Sequence, residues 1–259
     1  ILDLEGTNYT YTPGQSAGVV PPGVDETSQK AHNVRLYSVA SSLLAPEPGY
    51  ENRKTVMLCV KRVKDKHWDD ASKLYSGVCS NFICDLKPGD SVQLTGPAGK
   101  HFALPENTFD YNYILFATGT GIAPFRAFLR EMEAAGGIPD RAKVWLFFGV
   151  RFDNEILYDA EFKALAAKYP NFFYRVSQSR TMQNPDGSRK YVQHMLLDYA
   201  TETLPLLQLP NTRIYICGLK GMETGIADSI KKLATDAGVD GDTLLAQATQ
   251  KERYFEEVY

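Results

Sequence analysis

Two glycine-bearing runs hold the residue types from which a phosphate site can be built. The first, Thr118-Gly119-Thr120-Gly121-Ile122-Ala123-Pro124, leaves the apolar segment 113–117 and enters helical periodicity over 124–134. Gly119 and Gly121 would let the backbone approach a ligand closely and take up positive φ. The helix that follows would offer unpaired N–H groups and partial positive charge to a pyrophosphate. Pro124 suits an early helical position, where no N–H is needed. The run is not a full G-x-G-x-x-G, and a plain tight turn is the competing reading. The second run, Cys217-Gly218-Leu219-Lys220-Gly221-Met222-Glu223, leaves another apolar segment, 213–217. Two glycine exits on one sheet point to a dinucleotide lying along its edge, because ligands of open parallel sheets bind beyond the carboxyl ends of the strands.

The elements that must position these runs follow from the hydrophobic rhythm. Strands are expected at 113–117, 144–149, 172–176 and 213–217, and helices at 124–134, 159–168 and 222–237. This βαβ alternation implies a parallel sheet wrapped by helices. The first hundred residues read differently. Short apolar or β-branched runs are broken by turn signals at 11–14, 21–23, 87–90 and 96–99, with the clearest strands at 56–61 and 91–95. A small antiparallel barrel or sandwich is expected there. One short helix is expected over Asn81–Leu86, and 61–74 reads as an exposed, polar hairpin loop. The boundary is placed near Pro105–Thr108, which gives units of residues 1–106 and 107–259.

Composition narrows the function classes. The 259 residues are 44% hydrophobic and 23% charged, normal for a globular chain. No apolar run reaches the roughly 18–20 residues of a membrane helix. A net charge of −3 argues against a generically basic nucleic-acid binder. Cys59, Cys79, Cys84 and Cys217 are scattered without a C-x-x-C pair, so neither a metal cluster nor a disulfide framework is expected. A reducing compartment is the expected setting. The chain opens on Ile1 with no secretory pattern, and the expectation is a processed form.

A set of blocks then falls in one order along essentially the whole chain. They are Arg35-Leu36-Tyr37-Ser38, Leu58-Cys59-Val60-Lys61, Gly77-Val78-Cys79-Ser80-Asn81, Gly96-Pro97-Ala98-Gly99-Lys100, 118–124, Ser179-Arg180, Tyr191-Val192-Gln193, 217–223 and Glu257-Val258-Tyr259. Any one block is modest evidence, but the ordered set is specific. The chain resembles the plant-type ferredoxin–NADP⁺ reductases. That resemblance implies FAD on the antiparallel unit, NADP(H) on the α/β unit, and electron exchange with ferredoxin.

It also implies roles. Arg35 would pair with the FAD pyrophosphate through its donor fork. Tyr37 would lie against one flavin face. Ser38 would bond near N5, the atom that receives hydride, where a hydroxyl can both donate and accept. Gly77, Val78, Cys79 and Ser80 would bring a helix N-terminus to the same pyrophosphate, with the Ser80 hydroxyl as an added donor. Leu36, Cys59, Lys61 and Thr118 complete the expected flavin contacts. Cys79 is expected near the nicotinamide in a positioning role, with a buried small hydrophobe as the competing reading. Ser179, Arg180, Arg189 and Tyr191 flank a turn at Asn184-Pro185-Asp186-Gly187 and would take the 2′-phosphate and adenine of NADP. Lys61, Thr118, Gly119, Gly149, Val150, Gly218, Leu219 and Glu223 would line the rest of that nucleotide. Tyr259 would cover the other flavin face and move aside for nicotinamide, while Glu257 would couple protons to electron transfer. A frayed tail is the competing reading for both. Ser38, Cys79, Glu257 and Tyr259 thus form the expected catalytic set, and no metal site is expected.

Three departures from the family pattern bear on these expectations. The family's first strand is expected to be missing or to lie before Ile1. The loop Ala45–Asn52, with Pro46, Pro48 and Gly49, has no secure counterpart. Many members carry an adenine-stacking aromatic after the strand of Lys61. Gapless counting puts Asp65 there, and Trp68 or Tyr75 could replace it. Docking of an acidic ferredoxin needs positive charge near the flavin edge. Residues 53–73 hold seven basic residues against three acidic, and Lys87 and Lys100 could add to them. Two other readings stay open: the reductase module of a larger oxygenase-type system, and a catalytically silent nucleotide-binding module. Intact Ser38, Cys79 and Glu257 argue against the silent module. The blocks 78–82 and 84–89 look more like plastid members, which makes plastid stroma the expected location and a bacterial or cyanobacterial cytoplasm the alternative.

Overall fold

Short β-prone runs between turns give the first unit its form in the computed structural model, which describes residues 1–26, 28–66 and 72–259. The strands are β1 (Leu2–Asp3), β2 (Ser16–Val20), β3 (Arg35–Ser38), β4 (Thr55–Val56), β5 (Lys64–Lys66), β6 (Leu74–Ser76) and β7 (Gln93–Ala98). All pair antiparallel, in the sheets β3-β2-β7, β1-β4 and β5-β6. An isolated bridge from Val39 to Leu58 ties β3 to the segment after β4. A small core of Leu4, Tyr11, Ala17, Val39 and Val56 fills the interior.

Two local expectations shift. The strand expected over 56–61 is paired only at Thr55–Val56 and at the Leu58 bridge. Beyond it, Cys59 turns to the second unit, where the Tyr158 hydroxyl meets its thiol. The short helix α1 spans Val78–Asp85 and starts before the expected Asn81. Its first turn closes early because the Ser80 Oγ and Asn81 Nδ2 both donate to the Gly77 carbonyl, at 3.2 and 2.7 Å. Of the antiparallel pair β5–β6, β5 lies within the expected exposed loop and β6 begins at its last residue and runs past it, while Trp68 falls outside the described residues.

The second unit runs β8 (Asn112–Thr118), α2 (Ala123–Ala134), β9 (Val144–Val150), α3 (Asp159–Lys168), β10 (Phe172–Gln178), α4 (Val192–Asp198), α5 (Ala200–Gln208), β11 (Thr212–Gly218), α6 (Met222–Asp236), α7 (Gly241–Gln250) and β12 (Tyr254–Val258). The five strands form one parallel sheet in the order β10-β9-β8-β11-β12. Strand alternation splits the apolar side chains between two faces. Tyr113, Leu115 and Ala117 pack with Phe125, Phe128 and Phe162 on one face, and Ile114 and Phe116 pack with Trp145, Leu196 and Ile226 on the other. Phe102 and Leu104 also pack into the first of these cores. The sequence reading has no α4, α5, α7 or β12. In particular, the tail expected to be loose or flavin-bound is the fifth strand. Among the described residues, no helix is long and apolar enough to cross a membrane.

The two units are joined through α2. Arg126, only 5% exposed, donates from NH1 to the Ala40 carbonyl (2.7 Å) and to Glu47 Oε1 (2.8 Å), from NH2 to Glu47 Oε2 (2.9 Å), and from Nε to Glu161 Oε2 (2.7 Å). Arg130 NH2 adds the carbonyls of Ala45 (3.1 Å) and Pro46 (2.8 Å), and Ser42 bonds Glu131. The proline-bearing loop that had no secure family counterpart is therefore the seat of this clamp. Removing one partner of a buried ion pair leaves the other charge unpaired and costs about 3–5 kcal/mol. Arg126→Met is expected to lower unfolding stability by about that much in urea titrations. Arg126→Lys, which keeps the charge but loses the fork, is expected to recover part of it.

Candidate active site at the carboxyl edge of the sheet

Parallel strands all end on the same side, so their exits share one edge. In this order the chain reverses direction between β8 and β11, and such a switch point opens a crevice for ligands. The structure packs that point tightly. The Leu219 N–H donates to Thr118 Oγ1 at 2.9 Å, and the Thr118 hydroxyl donates to the Met222 sulfur at 3.2 Å. A Cβ on Gly218 would stand 2.1 Å from Thr118 Oγ1, and one on Gly121 would stand 2.2 Å from the Cys217 carbonyl oxygen. Gly119 takes φ +54° with open space beside it. The two glycines expected to act alike therefore differ: Gly119 supplies the positive φ, and Gly121 the close approach. A 3₁₀ turn over Gly119–Ile122 carries the chain into α2, with Pro124 in its first turn.

Around this crevice the two units bring together a titratable cluster. The Ser38 hydroxyl, at the end of β3, faces the Cys217 thiol at the end of β11, and Glu257 of β12 lies beside the same thiol. Burial pushes the Cys217 thiol up to about 12, so it stays protonated at neutral pH. Burial also raises the Glu257 carboxyl to about 7. Gly99 leaves it room, since a Cβ there would stand 3.3 Å from Glu257 Oε1. Tyr259 is held by main-chain bonds, its N–H to the Gly218 carbonyl and its carbonyl from the Lys220 N–H, both 3.0 Å. Its hydroxyl bonds Thr120 Oγ1 at 2.6 Å, and the residue is 58% exposed.

Cys79 does not join this cluster. Tyr37 and Ser38 are adjacent on β3 and so point to opposite sides. The Tyr37 hydroxyl meets the Cys79 thiol, whose Sγ also lies 3.8 Å from the Val19 carbonyl, and burial raises both groups. The thiol beside Ser38 is Cys217, which the sequence reading left out of the site. Its place as the last residue before a glycine exit was the signal that could have found it. Cys59 sits on the Tyr158 side, where burial raises its thiol too.

The first unit leaves several large apolar side chains and Arg35 exposed. Leu36, Val78 and Leu74 are 58%, 51% and 80% exposed. Arg35 is exposed on the same strand, its NH1 resting on the carbonyls of Asn33 and Val34 at 3.5 and 3.2 Å. The α1 N-terminus has Gly77 as its cap with no side-chain cap bond, which leaves main-chain N–H groups for an anion. The Ser80 hydroxyl is already used, since it accepts the Val63 N–H at 3.1 Å and donates to Gly77. Tyr75 pairs across the hairpin with Asp65, the position where the family's aromatic was sought. Lys61 is exposed and lies within electrostatic reach of Glu155, whose carboxyl the Arg151 guanidinium holds down at about 2.

The remaining nucleotide residues divide in two. Ser179 and Arg180 follow β10, with their N–H groups donating to the carbonyls of Val150 (2.9 Å) and Arg151 (3.1 Å). Arg180, Arg189 and Tyr191 are all exposed. Gly149 and Val150, in contrast, are buried. A Cβ on Gly149 would stand 2.9 Å from Val192 Cβ, so this glycine serves the seating of α4. Leu219 is 61% exposed beyond β11. Glu223 Oε2 accepts the Gly221 N–H at 2.7 Å and closes the start of α6.

The Glu257 carboxyl gives this site a pH signature. The folded chain binds its proton more tightly than the unfolded chain, where the ordinary value of 4.5 holds. The stabilisation is therefore full below that value and is lost as pH rises through about 7. Relative to Glu257→Gln, the wild type is expected to lose stability between about pH 5 and pH 8, as read by urea titrations at both ends. The variant should also lack the inflection near pH 7 in turnover.

Comparison with known proteins bears directly on this arrangement. Residues 115–228 match the oxidoreductase NAD-binding domain family. The chain is 40% identical over its whole length to a ferredoxin–NADP reductase of Spirulina, covering 87% of that protein. It is 43% identical over its whole length to the chloroplastic leaf isozyme 1 of Oryza sativa subsp. indica, covering 70% of that protein. Among solved structures, the ferredoxin–NADP⁺ reductase of Plasmodium falciparum superposes with a TM-score of 0.72 at 29% identity, over 97% of this chain and 85% of that one. The same enzyme solved with 2′P-AMP gives 0.70 at 28%, over the same shares. With full-length identity of this order, two units of the expected kinds and a shared crevice between them, the chain belongs to the ferredoxin–NADP reductase family.

Proposed function

We propose that this chain is an FAD-dependent oxidoreductase that moves electrons between NADP(H) and ferredoxin. The observation that carries this reading is the meeting of Ser38, from the antiparallel unit, with Cys217, Glu257 and Tyr259 on the nucleotide-binding sheet. FAD, when bound, supplies the conversion between the hydride of NADPH and the single electrons of ferredoxin. The protein does the rest. Arg35 and the α1 N-terminus hold the FAD diphosphate, and the exposed apolar residues of the first unit exclude water from the ring. Ser38 offers a hydroxyl that can donate or accept. Glu257, titrating near neutrality, holds or releases a proton at the crevice. The Tyr259 ring covers the site. Its strand-like main chain is fixed, while one hydroxyl bond to Thr120 holds the ring, so the ring can swing without unzipping the tail. Arg180 and Arg189 receive the 2′-phosphate and Tyr191 the adenine.

In this reading residues 1–106 form the flavin unit and residues 107–259 the NADP(H) unit. Ferredoxin docks against basic residues near the flavin edge, with Lys100 next to the Gly99–Glu257 contact. The setting is the plastid stroma, in line with the chloroplastic relatives.

Anaerobic titration of the purified yellow protein provides the test. NADPH is expected to bleach the flavin at far lower concentration than NADH, and equal bleaching by both would overturn the reading. Arg189→Ala is expected to raise the KM for NADPH about tenfold or more while leaving that for NADH unchanged, since a charge-assisted hydrogen bond contributes about 1.5–3 kcal/mol. Lys100→Glu is expected to raise the KM for ferredoxin and to flatten its dependence on salt, with ferricyanide reduction unchanged.

A further inference from the structure

The loop between β10 and α4 carries Arg189 and Tyr191 outward, and among the described residues its two limbs pair by one bridge, Gln183 to Arg189, and by the Lys190 N–H to Met182 (3.1 Å) and Asn184 N–H to Ser188 (2.8 Å) main-chain bonds. One side chain ties both of its limbs to α4. His194 occupies the third helical position, and its Nδ1 accepts two N–H donors. The Asn184 Nδ2, from the outgoing limb, lies at 2.9 Å, and the Tyr191 main-chain N–H, from the returning limb, lies at 3.1 Å. The His194 N–H donates back to the Tyr191 carbonyl at 3.0 Å. This is one half of a capping box, the third-position side chain accepting the N-cap N–H, with an imidazole where Glu or Gln is usual and a main-chain carbonyl closing the turn. Two converging donors fix the ring's tautomer, with Nδ1 bare and the proton of the neutral ring on Nε2.

The limb between them is set by the same anchor. Asn184 Nδ2 also reaches the Arg189 carbonyl at 3.1 Å. Lys190 turns inward to Asp198 of α4 at 2.5 Å. Alternation along an extended limb then sends Arg189 and Tyr191 outward, and both are exposed. The two exposed residues thus bracket one tethered inward, and both ends of the limb converge on a single imidazole nitrogen.

We propose that His194 is a positioning residue that sets the preference for NADPH over NADH, by holding the limb that carries Arg189 and Tyr191. This rests on the reading that these two residues receive the 2′-phosphate and adenosine. Rigid placement matters here because a guanidinium recognises phosphate through directed bonds. A loosened limb keeps its charge but must be ordered again at each binding event.

The test compares His194→Leu, His194→Gln, Asn184→Ala and Arg189→Ala in the flavin-loaded full chain, with ferricyanide as acceptor and both coenzymes as donors. His194→Leu is expected to raise the KM for NADPH about five- to tenfold, with kcat and the KM for NADH unchanged. His194→Gln, whose amide oxygen can accept the same N–H, is expected to restore most of it. Asn184→Ala, which removes the bonds to His194 and to the Arg189 carbonyl but keeps the Tyr191–His194 bond, should fall between. If Arg189→Ala raises the NADPH KM and His194→Leu does not, His194 has no positioning role and the phosphate site stands. If His194→Leu weakens both coenzymes alike, or lowers kcat with no rescue by Gln, the effect is general damage and the proposal fails. If Arg189→Ala leaves the NADPH KM unmoved, the phosphate site itself is misplaced and the proposal falls with it.

Discussion

A single buried guanidinium decides how the two halves of this molecule meet. Arg126 is almost fully removed from water, and an ionised group survives there only if every face is paired. Its fork meets both Glu47 oxygens and the Ala40 carbonyl on the antiparallel unit, and Glu161 on the parallel-sheet unit. Lysine could not span that geometry, because it offers a point charge and no planar fork. Ala40 lies two residues beyond Ser38, so fixing its carbonyl fixes the end of β3. That same α2 helix begins at the glycine turn of the crevice. The clamp sits in the first turn of the helix that the crevice's glycine turn opens, so one rigid element carries both, and the distance from Ser38 to Cys217 depends on it.

The crevice itself follows from the parallel sheet. Strand exits line up because parallel strands share a direction, and the reversal of order between β8 and β11 keeps the loops there from crossing. What fills the gap is dense. Thr118, Gly121, Gly218 and Met222 pack with no space for a methyl group at either glycine. The nucleotide edge is therefore a firm floor, with exposure left to Leu219 above it and to Arg180, Arg189 and Tyr191 at its far end. Firmness at one end and a tethered loop at the other suit a ligand whose reactive ring and phosphate tail must be placed independently.

The thiols show how strand geometry assigns chemistry. Four cysteines surround the flavin unit and the crevice, and residue type alone does not separate them. Alternation along β3 does: Tyr37 takes Cys79 to one side, and Ser38 meets Cys217 on the other. The Cys217 thiol is held protonated by burial next to a carboxyl that titrates near neutrality. It stands there as a compact, neutral neighbour of that carboxyl.

Much of the architecture was legible in the linear chain, because it rests on local rules. The strands at 113–117, 144–149, 172–176 and 213–217 and the helix over 159–168 follow from periodicity, and the glycine exits from the conformations that only glycine allows. The tail strand β12 was not legible, because Tyr254–Val258 is half polar and becomes a strand only beside β11. Gly149 reads as a ligand contact in sequence and as a seat for Val192 in space. Ser38 stands beside Cys217, and Tyr37 beside Cys79, through a side-to-side choice along β3 that sequence does not state. The Arg126–Glu47 pair was invisible for the plainest reason: its members are far apart in the chain, and charge and type say nothing of which arginine will be buried. Sequence determined the elements and their ends, since these depend on neighbours within a few residues. Tertiary structure alone decided which ends face one another, since that depends on long-range packing and on where buried charge finds its partner.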